Sequence, residues 1–270
     1  MRVLYLTDSL SDLDGVGRYG VRLLSALEDA GEGFEVEVLL GRRHRPSSSE
    51  VRSSWDVSVG LPPDHYYYMS PLRFWANTLL CLPRAVAAAR RADVVHCIKD
   101  FPHSWLGAWA AKLAGKPCIA TGHGTYTTEP LIDGRHRGRA RWAAGRFARW
   151  IAVSGFTKGR LLEALAGVGP SEEEIVVVSN AVNAAHYEAK REVGAQPWHG
   201  KRYTSAIGEL KERKGHHLSL AAWIRVAEEQ PELEHLIVGK PAGDEYEAGL
   251  HAMAEESGLS SRVHFLGNID

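Results

Sequence analysis

The chain has 270 residues, 44% of them hydrophobic, and 32 Lys and Arg against 33 Asp and Glu give a net charge of −1. That length and apolar content suit one large α/β domain or two smaller ones, and two fit the pattern better. The charge balance excludes the global basic field of a nucleic-acid binder, and no apolar run approaches the ~20 residues of a spanning helix.

The N-terminal run 2–7 reads as a strand. Asp8 follows at once, which leaves it too short for a secretory signal. Gly15-Val16-Gly17-Arg18-Tyr19-Gly20 fits the G-x-G-x-x-G pattern, and Arg42 and Arg43 could suit a 2′-phosphate. The spacing argues against a dinucleotide site, because Ser9 to Asp14 separate strand from glycine. What remains is a glycine-rich loop that opens a helix over 17–30 and lets a ligand approach the backbone, or a plain flexible turn. A strand over 35–40 precedes an Arg-, Ser- and Pro-rich surface loop at 42–55.

Helical patterns at 72–91, 104–114, 139–149 and 157–166 then alternate with strands at 93–98, 117–121, 150–153 and 175–178, the signal of a parallel sheet wrapped by helices. Cys81, Cys97 and Cys118 lack metal-type spacing and read as buried thiols in a reducing cytosol. After the strand at 117–121, Thr121-Gly122-His123-Gly124-Thr125 sits at the expected carboxyl edge of the sheet. His123 between two glycines is expected to keep its ring accessible, ready to bond a sugar hydroxyl or to serve as acid or base; a turn residue is the plain alternative. Arg135, Arg137, Arg139, Arg141, Arg146 and Arg149 fill the next segment, where Ala143, Phe147, Trp150 and Ile151 share an apolar arc on a helical wheel. The ordinary reading is a sheet-packed helix with a solvated basic face. The sharper one is attraction to anionic lipid along Arg135 to Arg149, with nucleic acid last.

Gly194, Pro197 and Gly200 interrupt charged residues between two β/α blocks, so the expected division is a first domain at 1–187, a linker at 188–201 and a second domain at 202–270. The second block reads strand 203–208, turn 209–215, helix 216–230, strand 236–239, helix 245–257 and strand 262–266. Its turn places Lys214 beside Gly215 at a helix N-terminus, where free amides and the helix dipole favour an anion. The pair His216-His217 starts that helix and has no zinc-type partners in sequence.

These segments resemble the GT-B glycosyltransferases, specifically the retaining family 4, over nearly the whole chain. The likeness rests on Asp14-Gly15-Val16-Gly17-Arg18, Asp93-Val94-Val95-His96, Gly122-His123-Gly124, Ile151-Ala152-Val153-Ser154, Val177-Val178-Ser179-Asn180-Ala181-Val182-Asn183 with Tyr187, Gly208 to Gly215, Leu236-Ile237-Val238-Gly239 and Arg262-Val263-His264-Phe265-Leu266-Gly267. The resemblance implies an α/β fold with a Rossmann-like N-terminal domain facing a second, partial one across a cleft. The first would take the acceptor and the second the nucleotide sugar, with no cofactor and no metal ion. It further implies that Lys214, with Gly208, Gly215 and the additional candidate Arg213, holds the donor diphosphate. His123 would lie near the transferred sugar as the catalytic candidate, Gly15, Gly17 and Arg18 would close over the phosphates, and Asn180 is a further candidate.

The chain also departs from the pattern. Glu209 stands where an arginine is expected, opposing a diphosphate unless Lys211 or Arg213 substitutes, and Ala181 and Asn183 replace a glycine and an aspartate. The family's two later glutamates, for sugar and ribose, have no counterpart before Asp270, so this form is expected to lack part of the donor site and to be inactive alone. The implied activity is transfer of a hexosyl group to a saccharide or lipid-linked hydroxyl by a cytoplasmic protein, peripheral on the inner membrane face if the arginines meet lipid. The alternatives are a noncatalytic sugar-binding or partner subunit and a GT-B-like sugar-nucleotide epimerase.

Overall fold

The structure, a computed structural model, describes residues 1–12, 14–31, 33–182, 198, 200–241, 243 and 245–268. The chain divides into two compact units, Met1–Val182 and Asn183–Asp270. The expected linker at 188–201 lies almost wholly outside the described residues, as do Asn183 and Tyr187.

The first unit is a seven-stranded sheet in the order β3-β2-β1-β4-β5-β6-β7. Its strands are β1 (Arg2–Thr7), β2 (Glu35–Gly41), β3 (Asp56–Leu61), β4 (Val94–Cys97), β5 (Cys118–Gly122), β6 (Arg149–Ala152) and β7 (Ile175–Val177), and every pairing is parallel. Period-two alternation sends Val3 and Tyr5 of β1 to one face, where Val21 and Leu24 of α1 (Gly15–Asp29) cover them. Leu4 and Leu6 face the other way, into a core shared with α2 (Pro71–Arg91), α3 (His103–Ala114), α5 (Arg137–Ala144) and α6 (Gly155–Leu165). Cys81, Cys97 and Cys118 are free and buried, as expected.

One strand and one α-helix were not expected from the sequence. Strand β3 follows the 42–55 loop, and a Cβ on Gly60 within it would lie 2.6 Å from Arg84 Cδ and 2.8 Å from Leu39 Cδ1, so both side chains lie close over the backbone there. Helix α4 (Thr125–Ile132) contains Pro130 and three threonines, residues that lower intrinsic helix propensity. The helix expected at 139–149 instead starts at Arg137 and stops at Ala144. Gly145 follows, where the chain passes so close to Val168 that a Cβ would sit 2.7 Å from its carbonyl. The supposed apolar arc is therefore split: Phe147 and Trp150 are buried, but Trp150 and Ile151 belong to β6.

The second unit is a parallel three-stranded sheet, β10-β9-β8. Strands β8 (Tyr203–Ile207), β9 (Glu234–Val238) and β10 (Val263–Gly267) are linked by α7 (His216–Ala227) and α8 (Glu245–Glu256). Leu220 and Trp223 of α7, Leu250 and Ala254 of α8, Ile237 and Val263 form one core. No described helix is long and apolar enough to cross a membrane.

Candidate functional site

In the first unit the strand order reverses between β1 and β4, and open α/β sheets bind ligands outside the carboxyl ends of strands at such a point. Charged residues stand there directly after the apolar strands. Lys99 Nζ lies 2.6 Å from Asp8 Oδ2, and Asp8 is only 5% exposed. The other oxygen, Asp8 Oδ1, is buried with no hydrogen-bond partner among the described residues. Burial works against the Lys99 charge, but Asp8 outweighs it and raises the ammonium pKa. Asp100 next to it is buried, and burial lifts its carboxyl above the ordinary value.

His123 reaches this edge from β5. Its ring is not freely accessible, contrary to the expectation from its glycine neighbours: Nε2 lies 2.9 Å from the Ile98 carbonyl, and Tyr19 of α1 packs edge-on at 4.8 Å between centroids. A carbonyl can only accept, so Nε2 carries the proton and Nδ1 keeps a lone pair. Burial lowers the His123 pKa, which favours that neutral form. The ring can therefore accept a hydroxyl hydrogen bond and is a poor proton donor.

Thr127 fixes the loop that carries His123. Its hydroxyl oxygen accepts from the amides of His123 (2.8 Å) and Gly124 (3.3 Å) and donates to Asp100. Gly124 has φ +131°, a conformation only glycine adopts without strain. At the start of α1, Asp14 caps the helix by accepting from Gly17 N at 2.6 Å. A Cβ on Gly17 would lie 2.7 Å from both Ser11 O and Ser9 Oγ, whereas Gly15 has open space. Arg18 folds back onto its own loop and donates to the Asp12 carbonyl.

In the second unit the turn after β8 is pinned at several points. The Gly208 amide donates to Val238 O at 2.8 Å, Leu210 N donates to Lys240 O at 3.1 Å, and buried His216 Nε2 reaches Gly208 O (3.1 Å) and Glu209 O (3.2 Å). A Cβ on Gly239 would collide with Gly208 O at 1.7 Å, so the two strand ends meet through glycine alone. Gly208 and Lys214 come together, with Lys214 Cδ 3.5 Å from the place of a Gly208 Cβ. Lys214 is exposed and takes part in no ion pair among the described residues. Gly215, at φ +73°, turns the chain into α7.

Residues 13–186 match the family described as Glycosyltransferase Family 4. The chain belongs to that family. Residues 189–270 match a second family, Glycosyl transferases group 1. The family 4 chain is 30% identical over 261 residues to a phosphatidyl-myo-inositol mannosyltransferase of Mycolicibacterium smegmatis, covering 95% of this chain. It spans 61% of that relative's length. Among solved structures, Anabaena Alr3699/HepE in complex with UDP and glucose superposes with a TM-score of 0.69 at 18% identity, covering 100% of this chain and 70% of that one. A putative UDP-N-acetylglucosamine 2-epimerase from Listeria monocytogenes reaches 0.61 at 16% identity, covering 100% and 69%. These likenesses show the fold, the parallel α/β architecture of GT-B glycosyltransferases expected from the sequence.

Of the site residues expected for a family 4 member, His123 and the α1 entrance meet through Tyr19, and Gly208, Lys214, Gly215 and Arg213 share one turn. Asn180 is exposed after β7. Asp8, Lys99, Asp100, Tyr19 and Thr127 were missed. A charged residue directly after an apolar strand run was the available signal for the first three. The arginine segment is mostly tied to its own unit: Arg135 donates to the Tyr67 and Met69 carbonyls, Arg141 to Ala164 and Ala166, and Arg146 stacks 3.9 Å over Trp142. No group of His, Cys, Asp and Glu suited to a metal ion occurs among the described residues.

Proposed function

We propose that the protein carrying this chain transfers a hexosyl group from a nucleotide sugar to an acceptor hydroxyl. The observation that carries the reading is the turn at the carboxyl end of β8, where Lys214, in no ion pair among the described residues, stands beside Gly208 and the N-terminus of α7. A leaving nucleoside diphosphate gains negative charge, and a fixed cation with helix amides stabilises it in the transition state. At the edge of the first sheet, His123 Nδ1 offers an acceptor to a sugar hydroxyl, with Tyr19, Thr127 and Asp100 holding the ring and its loop. The relative's name favours a mannosyl donor and an inositol phospholipid as acceptor, and the UDP complex of the Anabaena protein favours a uridine base. We further propose peripheral contact with an anionic membrane. Its support is apolar exposure on α2, where Leu72 is 81%, Leu79 63% and Leu80 70% exposed, and Arg139 lies 5.0 Å over the Trp75 ring.

The test is to incubate the full-length protein with labelled UDP- and GDP-sugars, with and without vesicles containing phosphatidylinositol or a saccharide extract. Acceptor-dependent release of nucleoside diphosphate with a labelled product is expected. Lys214→Ala should weaken diphosphate binding by about 2 kcal/mol, the worth of a charge-assisted contact. Epimerised or hydrolysed donor without acceptor would establish the epimerase reading, and inactivity relieved by a co-purified chain the partner-subunit reading.

A further inference from the structure

Resting on that reading of the turn, we propose that Glu209 is a built-in counter-anion that sets donor affinity: it holds Lys211 and Arg213 in the free protein and yields them to the incoming diphosphate. Glu209 Oε1 lies 3.0 Å from Lys211 Nζ, and its Oε2 lies 3.6 Å from Arg213 Nη2. A hydrogen bond from Lys211, with the charges of Lys211, Arg213 and Lys240, holds the carboxyl below its ordinary pKa, so it is ionised at neutral pH. Two cations thus contact one carboxylate, and Lys240 is near enough to act on its charge, in the turn proposed to receive a phosphate group, while Lys214 takes part in no ion pair among the described residues.

The exchange involves side chains only. The backbone of the turn is fixed by the Gly208–Val238 and Leu210–Lys240 bonds, by buried Leu210 and by His216 bridging two carbonyls. Lys211 and Arg213 are 48% and 60% exposed and can swing freely from carboxylate to phosphate. Exposed ion pairs of this kind are weak, so a multiply charged phosphate competes successfully against a single carboxylate. Glu209 nevertheless repels the ligand and occupies its cations. An acidic residue at this point therefore lowers affinity without destroying the site, and product diphosphate dissociates more readily.

Isothermal calorimetry with UDP and with inorganic pyrophosphate tests this on the wild type, Glu209→Gln, Glu209→Asp, Arg213→Ala, the double variant and Lys214→Ala. Glu209→Gln is expected to tighten binding of both probes about five- to tenfold, within what exposed pairs are worth, and to steepen the salt dependence. Glu209→Asp should stay near wild type. Arg213→Ala should cost more in the Glu209→Gln background than alone, because only there is the arginine uncommitted before binding. A folding defect would move melting temperature without producing this coupling. Unchanged or weaker binding by Glu209→Gln, with wild-type binding that still depends on Lys214, would overturn the counter-anion role and leave the donor turn standing. Binding by neither wild type nor Glu209→Gln would overturn both.

Discussion

Gly15 and Gly17 look alike in sequence and differ in what surrounds them. A methyl at Gly17 meets the Ser11 carbonyl and the Ser9 and Asp14 side chains at under 3.0 Å, while Gly15 has nothing within 4 Å. Gly17→Ala should therefore destabilise the chain by about 1–3 kcal/mol through overpacking, and Gly15→Ala should be neutral or slightly stabilising through helix propensity. Urea denaturation of the two variants checks the contrast; equal costs would mean that the loop from Ser9 to Asp14 relaxes to admit the methyl. His123 shows the same limit of local reading. Its place after a strand was legible, yet its accessibility depends on Tyr19 and Ile98, both distant in sequence. Thr127 had no signal at all in the sequence. Thr127→Val removes the bonds to His123 N, Gly124 N and Asp100 at nearly constant shape, whereas Thr127→Ser keeps the hydroxyl. In the full-length protein, the Val variant is expected to lower the proposed transfer about tenfold or more through a loosened His123 loop, as misplacement of reacting groups does, with the Ser variant largely restoring it. Equal turnover by the two variants would remove Thr127 from the positioning of His123.

At the scale of elements, strands with continuous apolar runs were easy to find, since burial on both faces of a parallel sheet demands them. Strand β3 sits at the sheet edge beside β2 only and alternates polar with apolar residues, and the loop before it masked its start. Helix α5 ended early for a tertiary reason, the close pass of Gly145 to Val168, which no helical wheel contains. That correction changes what the arginines can do. Arg135, Arg141 and Arg146 are spent on carbonyls and an aromatic ring, so a lipid surface would meet the exposed apolar residues of α2 with only the remaining basic charge around them. Substituting Leu72 and Leu79 by Gln should then weaken adsorption to vesicles containing anionic lipid more than substituting Arg141 by Gln. The attraction should also fade as salt shortens the Debye length below ~10 Å. Co-sedimentation at low and high salt reads both effects, and adsorption insensitive to the leucine changes would return the arginine segment to first place.

Across the whole molecule, each unit repeats the same logic of strand, turn and covering helix, and that repetition is what the β/α pattern of the sequence carries. Less legible was the number of ionisable groups that the sheets enclose, because burial belongs to packing and not to local pattern. His96 is 4% exposed, bonded through Nε2 to Thr121 Oγ1 at 2.8 Å and packed on Tyr5, and burial lowers its pKa to about 3. In the second unit burial lowers the pKa of His235 to about 4. Unfolded histidines titrate near ~6.5, so below that pH the unfolded chain binds protons that the folded units refuse. The folded pKa is the lower one, and stability is therefore full above about pH 6.5 and is lost as pH falls toward 3, by up to about 1.4 kcal/mol per pH unit for each histidine. Asp100 acts in the opposite sense: burial raises its pKa, so its contribution weakens as pH rises above the ordinary carboxylate range. From about pH 6.5 down to 5 the histidines are expected to cost the chain melting temperature steadily. His96→Gln keeps a partner for Thr121 and removes the titration, so it should flatten that loss even if it lowers stability at pH 7. Melting curves at half-unit pH steps decide the point: parallel profiles for wild type and variant would show that protonation of His96 is not what the folded sheet resists.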